Sequence, residues 1–161
     1  MIDERPVRRE IFGAGLRGLF TLPQLQDGQL TTAPDGPGIY TVWRLDPGKP
    51  RFARGSAAGH YKGRDPSIPL EALQAHWVPE AGLLFAAKAA NVRTRVRLLV
   101  NFAAGKPVAH WDGRALWQLA DADELLVAWA AADDPDAALA RLLGRFTEQT
   151  GRPLPFANNK F

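Results

Sequence analysis

This sequence predicts an α/β or α+β domain, on three observations. Short β-branched and aromatic runs alternate with stretches of helical periodicity. Clusters of Pro, Gly and Asp punctuate them. The 161 residues, 46% of them hydrophobic, supply one core without disulfide or metal staples.

Residues 1–35 read as an irregular N-terminal extension packed on the domain, which itself spans 36–161. The extension ends in the turn cluster Thr31-Thr32-Ala33-Pro34-Asp35-Gly36-Pro37. Gly38 to Leu45 is rich in β-branched and aromatic residues and predicts a strand. The stretch from Arg51 to Asp65 is basic and glycine-containing, a long loop. Ser67 offers a cap for a helix over 69–77. Leu83-Leu84-Phe85-Ala86-Ala87, bounded by Gly82 and Lys88, predicts a buried strand. Val92, Val96, Leu99, Val100 and Phe102 recur at helical spacing and form the apolar stripe of the next helix. Asp112-Gly113 between two apolar segments suggests a hairpin turn. Leu125 to Trp129 is another strand candidate. Asp134 as cap, Pro135 at the first helical position and Gly151 as stop delimit the last helix, whose stripe is Leu139, Leu142, Leu143 and Phe146.

Composition narrows the function classes. The absence of cysteine excludes disulfides, zinc–thiolate sites and a cysteine nucleophile, and fits a reducing, cytoplasmic setting. The first residues lack the basic-then-apolar order of a signal peptide. No apolar run approaches the roughly 20 residues needed to span a bilayer, so no membrane partner is expected. The net charge is +3, with 15 arginines among the 20 cationic residues, side chains suited to bidentate phosphate contacts. Gly13-Ala14-Gly15-Leu16-Arg17-Gly18 spells G-x-G-x-x-G, but residues 19–23 do not supply the helix a dinucleotide site needs, and a chance match is the reading. His60, His76 and His110 lack metal-ligand spacing, and neither Ser56 nor Ser67 sits in a G-x-S-x-G turn.

The informative constellation is spread along the chain. Pro37-Gly38-Ile39-Tyr40 contains the tripeptide GIY. Leu84-Phe85-Ala86-Ala87-Lys88-Ala89 follows, then Val92-Arg93-Thr94-Arg95-Val96 on the helix. Gly105 to Arg114 and Leu116-Trp117-Gln118-Leu119 form a middle segment, and Pro155-Phe156-Ala157-Asn158 closes the series. Five segments in this order resemble the GIY-YIG nuclease family, and in particular bacterial members ending in a PFAN motif.

The resemblance implies an α+β fold, a small mainly antiparallel sheet flanked by helices. It implies a site in which Tyr40 orients water, Arg95 grips the scissile phosphate and Asn158 supports the site. Lys88 matches the family's lysine after the second motif, and Arg93 is a further candidate for phosphate contact. The chemistry would be metal-assisted phosphodiester hydrolysis with Mg2+ or Mn2+. This chain departs from the pattern where it matters. The second tyrosine is Phe85, the second-motif glycine is Ala87, and the glutamate that would hold the metal falls on Leu139, which has no oxygen to offer magnesium. The expectation is therefore a catalytically impaired protein that binds DNA or RNA phosphate through a remnant cleft, with Trp111 as a candidate base-stacking residue. Two alternatives stay open. One is an active endonuclease with its acid relocated to Asp112, Asp121, Asp123 or Glu124. The other is a protein-interaction module on an inactive nuclease fold.

Overall fold

A computed structural model describes residues 2–161. Its four strands form one antiparallel sheet in the order β1-β4-β2-β3, with helices packed on both faces, an α+β architecture. The centre is β2 (Gly38–Trp43), buried at every position and hydrogen-bonded on both edges. Tyr40 faces Ala87 across β3 (Leu83–Ala89) and Trp129 across β4 (Leu126–Ala131). Gly38 leads β2 because nothing larger fits: a Cβ there would stand 2.1 Å from the Ala130 carbonyl oxygen and 2.9 Å from Val92 Cγ2.

Side chains alternate across the sheet and build two cores. Tyr40, Val42, Phe85, Val127 and Trp129 share one face with α4 (Val92–Ala103), which buries Val92, Val96, Leu99, Val100 and Phe102. Asn91 starts that helix by accepting a hydrogen bond from Thr94 N at 3.0 Å. Ile39, Trp43, Leu83, Ala86 and Ala128 share the other face with α5 (Pro135–Thr150) and with Ile11 of α1 (Arg5–Gly13). The last helix carries the expected signals. Asp134 accepts from Ala137 N at 3.1 Å, Pro135 opens it, and Gly151 closes it in the left-handed region at φ 71°.

Three expectations need correction. The segment ahead of Gly36 is not irregular: α1, β1 (Arg17–Phe20) and α2 (Leu22–Gln26) fill it, and β1 pairs with β4 as an edge of the same sheet. Two glycines of the G-x-G-x-x-G match, Gly15 and Gly18, turn the chain into and along β1 at positive φ. Gly18 has φ 94°, and a Cβ on it would meet the Trp129 indole at 2.8 Å. Four residues with a glycine among them make too weak a strand signal to read in isolation.

The hairpin expected at Asp112-Gly113 is instead a 3-10 coil over Trp111–Gln118, which buries Ala115, Leu116, Trp117 and Gln118. Gly113 takes no positive φ, so the turn that would fold a two-residue hairpin does not form. Ser67, expected as a cap, instead accepts at Oγ from Ser56 N (2.9 Å), while α3 (Leu70–His76) starts behind Pro69. The loop from Arg51 to Pro69 is held from below by Gln118, fully buried. Its Oε1 accepts from Ile68 N (2.7 Å), and its Nε2 donates to Ile68 O (2.9 Å) and Ala53 O (3.0 Å). Among the described residues no helix is long and apolar enough to cross a membrane.

Candidate functional site

Tyr40 stands at the middle of the central strand, on the α4 face. It is wholly buried, and its Oη lies 2.7 Å from Nε2 of His110, itself 1% exposed. The rings of Phe85 and His110 pack against it at centroid distances of 6.0 and 5.8 Å. Arg95, one turn into α4, donates to the main-chain oxygen of Ala109 at 3.3 Å and faces both the phenol and the imidazole. Tyr40 and Arg95 therefore converge.

The electrostatics fix the protonation of this group. Burial pushes His110 down from 6.5 to about 3, with the Arg95 charge acting in the same direction, so the imidazole is neutral at physiological pH. Burial pushes the Tyr40 phenol up, Arg95 opposes that, and the Asp112 carboxylate reinforces it. The result is a neutral phenol bonded to a neutral imidazole beneath a guanidinium. His110 Nδ1 has no hydrogen-bond partner among the described residues. With no solvent exposure, the Tyr40 hydroxyl does not meet the water that the resemblance would have it orient.

Beside this group lies an open cleft of about 450 Å³. Phe85 and Ala87 of β3 line it, together with Arg64, Trp111, Asp112, Arg114 and the closing residues Asn158 to Phe161. The positions matching the second motif and the terminal asparagine thus meet at one surface. Asn158 is committed to the outer edge of β3, where its Oδ1 accepts from Ala86 N (2.9 Å) and its Nδ2 donates to Ala86 O (2.8 Å). It caps a strand that has no further neighbour.

Trp111, half-buried, carries two guanidiniums: Arg64 Cζ lies 4.4 Å and Arg114 Cζ 4.7 Å from its ring. Arg114 is lowered by burial and then by Arg64, against Asp112, so the two cations are close enough to repel. Among the described residues no Asp or Glu side chain stands within 4.0 Å of a cationic nitrogen of Arg64, Arg95, Arg114 or Lys160. The cleft therefore carries three cationic side chains, Arg64, Arg114 and Lys160, against one acidic side chain, Asp112.

Three candidates leave this group. Lys88 shares the face of its partner Ile39, opposite to Tyr40, and its Nζ lies 2.5 Å from Asp136 Oδ1 on α5. Arg93 is spent on structure, donating to the main-chain oxygens of Ala33 (2.9 Å) and Thr31 (3.0 Å) beside Asp35. Neither is placed to hold a phosphate with Arg95. Leu139 packs against the core of the α5 face, across the sheet from Tyr40. A carboxylate there would not face the cleft.

The relocated acids fare no better as a set. Asp121 is paired with Arg44 at 2.9 Å, and Asp123 and Glu124 line a separate cleft with it. Asp112 alone lines the basic cleft. Among the described residues no group of three His, Cys, Asp or Glu side chains could hold a metal ion. The donor set does not fit a divalent cation held as the resemblance implies.

His110, Arg64, Arg114 and Lys160 went unnoticed as site residues in the sequence. The first and third lie in the quoted middle segment, so their position was visible and only their partners were not. Arg64 sits in the basic loop, where nothing local marks it.

The site is thus a cleft lined by basic and aromatic side chains on a small α+β domain, next to a buried tyrosine–histidine pair. Compared with models of known protein families, with curated proteins and with solved structures, the chain matches none.

Proposed function

We propose that this chain is a GIY-YIG-like protein that binds nucleic-acid phosphate at the remnant cleft and does not cut it. The observation that carries the reading is a cleft lined by Arg64, Arg114 and Lys160 with one acidic side chain, Asp112, where Phe85, Ala87 and Asn158 meet, next to the Tyr40–His110 pair that Arg95 faces. Its guanidiniums offer fixed donors to phosphate oxygens. Hydrolysis lacks its parts: the phenol of Tyr40 is sealed under His110 and Arg95, and the position that would supply the metal ligand is Leu139 on the far face.

The test is binding of labelled single- and double-stranded DNA and RNA across a salt series. Affinity should fall steeply with salt, and Arg95→Ala should weaken binding by about tenfold while lowering the salt slope by about one. Binding indifferent to Arg95→Ala, or none at low salt, overturns the reading. So does Mg2+- or Mn2+-dependent cleavage that is lost in Asp112→Asn, which would reinstate an active enzyme using that acid.

A further inference from the structure

We infer that the Arg64–Trp111–Arg114 stack is a subsite for one unpaired nucleotide, which makes the cleft selective for single strands and frayed ends over duplex. The inference rests on the nucleic-acid reading above and adds to it the form of the ligand.

Its first support is the geometry of the stack. Two guanidinium carbons stand within 4.4 and 4.7 Å of the same indole. Guanidinium and indole are both flat, and a nucleobase stacks on either. The second support is charge. Both guanidiniums line the cleft with Asp112 as its one acidic side chain, and among the described residues no acidic side chain pairs with either within ion-pair distance. A phosphate group would supply the paired negative charge that both lack.

Third, the two arginines are held differently. Arg114 is fixed, its Nη2 donating to the Phe161 main-chain oxygen at 2.8 Å and its Nη1 to that of Trp111 at 3.4 Å. Arg64 lies on an exposed turn of the long loop, and its side chain makes no hydrogen bond to the protein among the described residues. One cation is pre-positioned, and the other keeps all its donors for a ligand. Fourth, the cleft of about 450 Å³ lies in the size range of small-ligand sites, about 300–1,000 Å³. A duplex hides the base faces that this stack would use, whereas an unpaired nucleotide exposes them.

Fluorescence anisotropy with labelled oligo-dT, an abasic oligomer of equal length and a blunt duplex tests the inference at low salt. Oligo-dT should bind about tenfold tighter than the abasic oligomer or the duplex, as expected where a base adds its stacking to the phosphate contact. Trp111→Leu should remove most of that preference and leave the abasic affinity within about threefold, whereas Trp111→Phe, which keeps a ring, should retain it. Arg64→Ala, which also removes a phosphate donor, should weaken all three probes, and oligo-dT several-fold more than the abasic oligomer. Arg64 lies on an exposed loop, so its variant reports even if Trp111→Leu loosens the coil. Equal binding of oligo-dT and the abasic oligomer, or a uniform loss across all three probes in Arg64→Ala, overturns the subsite and leaves phosphate binding at the cleft intact. Binding of none of the probes overturns both.

Discussion

At the scale of single residues, the Tyr40–His110 pair has consequences in solution. A histidine held near 3 in the folded chain and near 6.5 in the unfolded chain binds fewer protons when folded between those values. Stability therefore rises with pH through that window, is fully present above about 6.5, and is lost as pH falls toward 3. Denaturant melts from pH 7 to 4 should show a dependence up to about 1.4 kcal/mol per pH unit steeper than in His110→Phe. An unchanged slope would mean that the imidazole is charged in the fold. Tyr40→Phe leaves Nε2 of a buried histidine without its partner and should cost about 1–3 kcal/mol of stability. Oligonucleotide affinity should stay within about threefold, since the phenol is not at the surface. Both residues were legible as chemistry-bearing types, and Tyr40 as a site residue. That they touch was not, because they stand 70 positions apart and meet only when the coil over Trp111–Gln118 folds onto β2.

At the scale of elements, the long loop shows how a structureless sequence is kept in place. Arg51 to Pro69 has few regular hydrogen bonds, and one buried side chain supplies three of its anchors. Gln118→Leu would leave two carbonyls and one N–H without partners and should destabilise the fold by about 3 kcal/mol or more. Limited proteolysis should then cut within residues 53–68 well before the rest of the domain. Protection equal to wild type would show that the loop is held elsewhere. Strands β2, β3 and β4 and the two long helices announced themselves because their periodicity and caps are local: Asp134, Pro135 and Gly151 each act within a turn of where they stand. The 3-10 coil did not, since its residues are buried by contact with distant parts and not by any period of their own.

At the scale of the whole molecule, the sheet divides what the resemblance would unite. Tyr40, Phe85 and the basic cleft lie on the α4 face, whereas Leu139 and Lys88 lie on the α5 face. The combined variant Phe85→Tyr, Ala87→Gly and Leu139→Glu should therefore gain no Mg2+ affinity by isothermal calorimetry. It should instead lose about 1–3 kcal/mol of stability from the carboxylate at the core margin. Magnesium binding in that variant would show that position 139 reaches the cleft after all. The N-terminal segment belongs to the same whole. Deleting residues 2–20 removes the outer strand and uncovers the edge of β4 and the Trp129 ring, on which Gly18 packs. Size-exclusion chromatography should then show association of the truncated chain through the bared edge.

The amino-acid sequence by itself determined most of the alternation of strands and helices, the ends of the last helix and the central strand. All of these depend on neighbours within a few positions or on a run of apolar residues. Only the tertiary structure decided which face of the sheet each side chain takes, because adjacent strand positions point opposite ways and nothing local says which helix will cover which side. That same choice buries the phenol of Tyr40, sends Lys88 to Asp136, and stacks Arg64, from a distant loop, onto Trp111. Contacts across the fold are set by packing and charge among groups that the chain keeps far apart, so they exist only once it has folded.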